Sequence, residues 1–137
     1  MCQTINQISD NDFIEQFENK TLDPRYFNHI GHLRLAWLYL NTNNLQDAIQ
    51  TSCFRIKAYA TSLGATTKFN TTITSALLEI MNKRMKSTDT GSWELFLQQN
   101  RDLVNDALSI LSQHYSIELI FSEQARLCFV EPDLSPF

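Results

Sequence analysis

Apolar side chains recur every three or four residues along four stretches of this chain, and no stretch alternates steadily between apolar and polar positions. A repeat near 3.6 residues is typical of amphipathic helices, whereas sustained alternation would indicate strands. The pattern therefore predicts an all-α fold. Since 137 residues suit one domain, we expect a single compact domain of about six or seven helices over 1–137, with irregular ends at 1–8 and 131–137.

Residues that favour helix ends divide this pattern into segments. Ser9 suits an N-cap for the first helix, and an aspartate followed by proline at 23–24 suits the start of the second. Gly64 suits the stop of the third. The predicted bounds are about 10–19, 23–44, 45–63, 67–86, 92–99, 105–113, 116–121 and 122–129.

The second predicted helix carries a histidine pair, His29 and His32, with Gly31 between them. Residues three apart on a helix lie on neighbouring parts of one surface, so both imidazoles can reach a common point. At about 100° per residue, His29 falls roughly 50° from the centre of the apolar arc and His32 roughly 110° from it. This predicts one imidazole inside and one at the rim. A glycine inside a helix costs about 1 kcal/mol relative to alanine, which suggests close approach of another helix or of a ligand.

A buried polar pocket is predicted between the second and fourth helices. Asn70 and Thr74 fall inside or beside the apolar arc of the fourth helix, and a buried asparagine must find hydrogen-bond partners. We expect the pocket to bind a small molecule or a transition metal, with His29 and His32 as the metal ligands; imidazole suits Zn, Fe, Cu and Ni alike. The predicted ligand-binding residues are Asn70, Thr74, Trp37 and Tyr39.

Composition narrows the class of partner. Eleven basic and fifteen acidic residues give a formal charge of -4, and the basic ones are scattered. Nucleic acid binding usually begins with a strong positive patch, so no nucleic acid partner is expected. The three cysteines are far apart and form no CxxC motif, and no apolar run is long enough for a membrane span. These features predict a reduced, cytoplasmic protein without a membrane partner.

Two other functions stay open. The chain contains no GxSxG, HExxH or glycine-rich phosphate loop. A metal-free enzyme with His29 as general base is one alternative, although no partner residue is visible. The other is a non-enzymatic interaction module or homodimer built on the apolar C-terminal segment LIFSEQARLCFV, residues 119–130. That alternative predicts a large exposed apolar patch.

Three segments resemble a family of small, uncharacterised, mainly bacterial helical proteins. They are FNHIGHLRLAWLYL at 27–40, KFNTTIT at 68–74 and YSIELIFSEQARLCFVEPD at 115–133. The family pattern reads F-x-H-x-x-H-[LV]-R-L-A-W-x-Y-L, then K-Y-H-E-T-I-T, then Y-S-x-E-L-L-F-S-x-E-A-R-x-x-F-x-x-P-D. The resemblance implies a histidine-rich metal or polar ligand site. His29 and His32 match it, whereas Asn70 and Thr71 stand where the family has histidine and glutamate.

Overall fold

The computed structural model describes residues 8–87 and 91–137, and within those ranges the chain forms α-helices and no strand. The all-α prediction is therefore confirmed. Six helices have seven residues or more and two are shorter. In chain order they are α1 (Asp10–Glu18), α2 (His29–Thr42), α3 (Leu45–Ser62), α4 (Thr71–Ser87), α5 (Trp93–Gln99), α6 (Arg101–Leu111), α7 (Ile117–Ile120) and α8 (Glu123–Leu127).

Several helix ends lie where the sequence predicts them. The side chain of Ser9 accepts a hydrogen bond from the backbone N–H of Asp12, and Asn44 caps α3 in the same way through Asp47. Gly64 follows α3 with a φ of 73°, a left-handed conformation that favours glycine. Residues 131–137 contain no helix, as predicted; of the other predicted irregular end, residues 1–7 lie outside the described part of the chain.

The start of the second helix was predicted wrongly. Asp23 does accept a hydrogen bond from the backbone of Arg25, but the turn that it caps is a 3₁₀ turn that covers only Pro24–Tyr26. The chain then leaves helical geometry at Phe27, whose ring packs on those of Phe17 and Tyr59 at centroid distances of 4.9 and 5.0 Å. The helix proper begins at His29, so the histidine pair occupies its first turn.

The start of α4 is likewise later than predicted, because a 3₁₀ turn covers Thr66–Lys68 before the helix begins. Threonine has a low helix propensity, and the first two threonines of α4, Thr71 and Thr72, are held by side-chain hydrogen bonds. The buried hydroxyl of Thr72 donates to the carbonyl of Cys128 at 3.0 Å and accepts from the N–H of Val130 at 3.1 Å. These bonds fasten the C-terminal segment to α4.

The sixth helix begins four residues before its predicted start. It runs from Arg101, but Asp106 inside it has non-helical dihedral angles of -154° and 62°. The carboxylate of Asp106 accepts hydrogen bonds from the backbone N–H and the hydroxyl of Ser109, at 3.3 and 2.6 Å. The predicted start at 105 thus corresponds to a kink at which the second half of α6 is capped.

Helix α2 lies at the centre of the core, where it contacts α3, α4 and α6. Seven of its residues are buried, including Leu33, Leu35 and Trp37, so it packs on several sides. The guanidinium group of buried Arg34 donates to the carbonyl of Ile8 at 2.6 Å and to the carboxylate of Asp10 at 2.7 Å. No helix in the described ranges is long and apolar enough to cross a bilayer.

Candidate functional site

A cavity of about 540 Å³ lies where the first turns of α2 and α4 face one side of α3. This volume falls within the range of small-molecule sites. Because Asn28, His29 and Lys68 on its rim are exposed, the cavity is open to solvent. It is lined by Pro24, Phe27, Asn28, His29, His32, Ile56, Tyr59, Ala60, Leu63, Ala65, Lys68, Phe69, Asn70, Ile73, Thr74 and Leu77.

The walls of this cavity, which we call the histidine cavity, are mainly apolar. Ile56, Phe69 and Leu77 are buried core side chains that also line it. Tyr59 contributes its ring, while its hydroxyl donates to the carbonyl of Leu22 at 2.8 Å. Burial raises the pKa of Tyr59, which keeps the phenol protonated. A pocket thus lies between the second and fourth helices, but it is open to solvent and not buried, its walls are mainly apolar and not polar, and α3 contributes to them.

His29 lies exposed on the rim, so its predicted place inside the apolar arc is wrong. It is the first residue of α2, where no preceding turn sets the direction of the side chain. Its Nε2 lies 2.8 Å from the carbonyl oxygen of Leu103 in α6. A carbonyl can only accept, so Nε2 carries the hydrogen, and in the neutral ring Nδ1 keeps a free lone pair.

His32 is half-buried and stacks on Phe27, with ring centroids 3.9 Å apart. Its Nδ1 donates to the carbonyl of Asn28 at 3.0 Å, so Nε2 is the nitrogen with the free lone pair. Burial lowers the pKa of His32, and the nearby charge of His29 lowers it further, against the opposing effect of the Asn28 carbonyl. The ring is therefore neutral at physiological pH.

The two imidazoles share one cavity, as the sequence predicts. Each donates one ring N–H to a backbone carbonyl, which fixes the tautomer and leaves the other nitrogen as an acceptor. Metal-bound histidines are held in the same way. Among the described residues, however, no group of three or more His, Cys, Asp or Glu side chains is placed to hold an ion. The described residues therefore offer a metal ion two ligand atoms here, one nitrogen from each imidazole.

Asn70 lines the cavity, but both polar atoms of its side chain are bonded within the fold. Its Oδ1 accepts from the N–H of Ile73 at 2.9 Å, which makes it the N-cap of α4. Its Nδ2 donates to the carbonyl of Ile120, at the end of α7, at 2.9 Å. The hydrogen-bond partners of this amide are thus two backbone groups, and the amide does not pair with the imidazoles.

Thr74 offers the cavity a polar group that is still available. The residue is buried and lines the cavity one turn into α4. Its backbone N–H donates to the carbonyl of Asn70, whereas its hydroxyl forms no hydrogen bond with any of the described residues. The hydroxyl can therefore donate to, or accept from, a bound molecule.

Trp37 and Tyr39, which the sequence places among the ligand-binding residues, do not line the histidine cavity. Trp37 packs against Trp93 at a centroid distance of 6.0 Å, and the hydroxyl of Tyr39 donates to Glu18 at 2.7 Å. Trp37 is about 140° round the helix from His32. Tyr39 is on the side of His32 but two turns, about 10 Å, further along. Trp37 is thus separated from the histidine pair by rotation round the helix, and Tyr39 by distance along the helix axis.

Lys68 and the lining face of α3 were missed by the sequence reasoning. Lys68 belongs to the 3₁₀ turn before α4, where no helical period places its side chain. It is exposed on the rim and forms no ion pair with the described residues. The apolar stripe of α3 was visible in the sequence, but the stripe alone does not tell which of its members face a cavity.

Comparison of the chain with models of protein families, with curated proteins and with solved structures gives no match. The resemblance to the small bacterial helical family therefore stays a prediction.

Proposed function

We propose that this protein binds a small molecule in the histidine cavity. The apolar body of the ligand would lie against α3 and α4, and its polar group would meet the free nitrogens of His29 and His32. The observation that carries this proposal is the pair of fixed tautomers, each with an unused lone pair, at the rim of a cavity of about 540 Å³. Sites for small molecules typically combine apolar walls with a few placed polar groups.

An organic ligand accounts for these features better than a transition metal alone. A structural zinc site needs four ligands and a catalytic one usually three from the protein, whereas the described residues bring two imidazoles together. Zn, Fe, Cu or Ni would therefore need ligands from water or from the bound molecule. Metal analysis of the protein and of a His29→Ala/His32→Ala variant tests this version. Equal, negligible metal in both would exclude it.

Catalysis on the bound molecule, with His29 as a general base, is a weaker variant of the proposed binding function. Its free Nδ1 is exposed and can take up a proton. The hydroxyl of Thr74 is a further available group on the lining. Neither group shows a hydrogen bond to the other, so a reaction is not assigned. Binding is the activity that this geometry supports best.

A cavity-filling variant tests the proposed binding. The probe is 2-naphthylmethanol, a neutral fluorescent molecule with an apolar body and one hydroxyl. Saturable binding to the unmodified protein is expected. Ala60→Phe places a ring on the lining and should weaken binding at least about tenfold, because that volume is no longer free. Ala58→Phe, on the same helix but outside the lining, is the matched control.

The probe experiment has clear opposing outcomes. Circular dichroism of both variants establishes that each retains its helices. Binding that is lost only in Ala60→Phe supports the proposal. Absence of saturable binding to the unmodified protein, or equal binding to both variants, would overturn it.

The alternative function, an interaction module or homodimer, also finds an observation in its favour. Large apolar side chains are exposed on α7, on α8 and in the residues that follow these two helices. They are 40–58% exposed and comprise Ile117, Phe121, Leu127, Phe129 and Leu134. Light scattering over a wide concentration range tests the homodimer. A mass that rises with concentration, and falls back in Phe121→Ser/Leu127→Ser, would favour it. A constant monomer mass would count against it.

A further inference from the structure

We propose that the ligand of the histidine cavity is an organic monoanion, such as a carboxylate on an apolar body, and that Lys68 recognises its charge. This inference rests on the proposed function, because it names the class of molecule that the same cavity takes. It follows from the distribution of charge around the lining.

The charged side chains of the lining have one sign. Lys68 is the lining residue with a full charge at neutral pH, and no aspartate or glutamate lines the cavity. Its ammonium group forms no ion pair with the described residues, so no carboxylate there neutralises it. A cationic ligand would be repelled at this rim, whereas an anion would be attracted.

The backbone adds potential of the same sign. Helices α2 and α4, with 14 and 17 residues, both begin at the cavity, and their capping residues Asn28 and Asn70 belong to the lining. The N-terminal end of a helix carries a partial positive charge, and its effect is greatest within the first turn. Two such ends near Lys68 favour an anionic head group over a neutral one.

The histidines are compatible with an anion. Each has one ring nitrogen already committed to a backbone carbonyl and one that is free. Protonation of an imidazole places an N–H on its free nitrogen, and that N–H can donate to an anion. A polyphosphate would bring several charges, which usually require several cations, whereas the lining provides one lysine. A single carboxylate matches this set.

The apolar walls determine the rest of the ligand. Ile56, Tyr59, Phe69 and Leu77 present side chains that offer no free polar group, since the hydroxyl of Tyr59 is bonded to Leu22. A small inorganic anion would leave this surface in contact with water. An aliphatic or aromatic body covers it and gains the corresponding hydrophobic free energy.

Three probes that share a naphthalene ring system and differ in the charge of their polar group separate the preference for an anion from binding itself. They are 2-naphthoate, 2-naphthylmethanol and 2-naphthylmethylammonium. In low-salt buffer near pH 7, the carboxylate should bind about fivefold tighter than the alcohol, the range expected for one exposed ion pair, and the ammonium compound weakest. Lys68→Gln should lower this carboxylate-to-alcohol ratio to about twofold or less, and what remains is the contribution of the two helix N-termini.

Lys86→Gln is the matched control, because it removes the same charge from an exposed lysine outside the lining. It should retain the full preference for the carboxylate. The inference is overturned if the alcohol binds but the carboxylate binds no tighter. It is also overturned if Lys68→Gln keeps the full preference for the carboxylate over the alcohol. In both cases the proposed function stands. If none of the three probes binds the unmodified protein, the proposed function itself fails.

Discussion

Asn70 provides the sharpest test of how the site is built, because its amide was expected to serve a ligand and instead connects two helices. Its Oδ1 caps α4 through the N–H of Ile73, and its Nδ2 holds the carbonyl of Ile120, both at 2.9 Å. Ile120 is the last residue of α7, so its carbonyl has no partner in a following turn. Asn70→Ala removes both bonds at once.

The expected loss can be worked out from these two contacts. Replacement of an asparagine N-cap by alanine costs about 1 kcal/mol. Loss of the second bond leaves a carbonyl of a buried residue, 1% exposed, without its donor, and that costs about 1–3 kcal/mol more. We expect the free energy of unfolding to fall by about 2–4 kcal/mol in Asn70→Ala.

Urea denaturation of three variants separates the two contributions. Asn44 also caps a helix, α3, but is exposed, and its side chain forms no second hydrogen bond with the residues that the structure describes. Asn44→Ala should therefore lose only about 1 kcal/mol. Asn70→Ser keeps a side-chain oxygen for the cap and loses the donor to Ile120, so its loss of stability should lie between those of the other two variants.

Ligand affinity gives the opposite expectation. Since both polar atoms of Asn70 are already bonded, the affinity of folded Asn70→Ala for 2-naphthylmethanol should change by less than about threefold. A loss of stability no larger than that of Asn44→Ala, together with abolished probe binding, would refute this reasoning. Asn70 would then be a ligand residue, as the sequence suggests.

Side-chain hydrogen bonds and burial give three further expectations. Thr72→Val strands two backbone groups of the C-terminal segment and should cost about 2–3 kcal/mol in urea denaturation, whereas Thr61→Val, at an exposed hydroxyl, should change stability by less than about 0.5 kcal/mol. The pKa of His32 lies below its usual 6.5 because of burial. The folded state therefore binds fewer protons than the unfolded chain, and the contribution of neutral His32 is complete above pH 6.5 and declines as the pH falls below it. Proton NMR titration checks the pKa of His32. The free energy of unfolding of His32→Gln should also fall less steeply below pH 6.5 than that of the unmodified protein; an unshifted pKa would contradict this expectation. Burial raises the pKa of Tyr39 above its usual 10, assisted by its bond to Glu18. Absorbance titration should find this phenol protonated above pH 10, and Tyr39→Phe should cost about 1 kcal/mol. Loss of the phenol proton of Tyr39 at pH 10 or below, assigned by comparison with Tyr39→Phe, would count against the raised pKa.

The fold class and most helix positions were readable from the sequence because they depend on local features. A repeat near 3.6 residues gives the helices, and Ser9 and Asn44 satisfy the first N–H groups of α1 and α3 in the predicted places. Gly64 stops α3 by a backbone conformation that other residues avoid. Where the prediction was wrong, at the start of α2, a valid local cap at Asp23 opened a turn that aromatic packing of Phe27 then ended.

The site was readable only in outline. The spacing of His29 and His32 was enough to predict that both imidazoles reach one space, because three residues make most of a helical turn. The tautomer of His29 and the role of Asn70 depend on carbonyls that lie 74 and 50 residues away along the chain, at Leu103 and Ile120. No local pattern specifies such partners.

The sequence by itself determined the helices, the caps and the shared position of the two histidines, since each of these is a property of neighbouring residues. Only the tertiary structure decided that α3 lines the cavity, that Lys68 is the charged group on its rim, and that Trp37 and Tyr39 lie elsewhere. The physical reason is that a cavity is the space left between helices, so its lining depends on how distant segments pack and not on the pattern of any one of them.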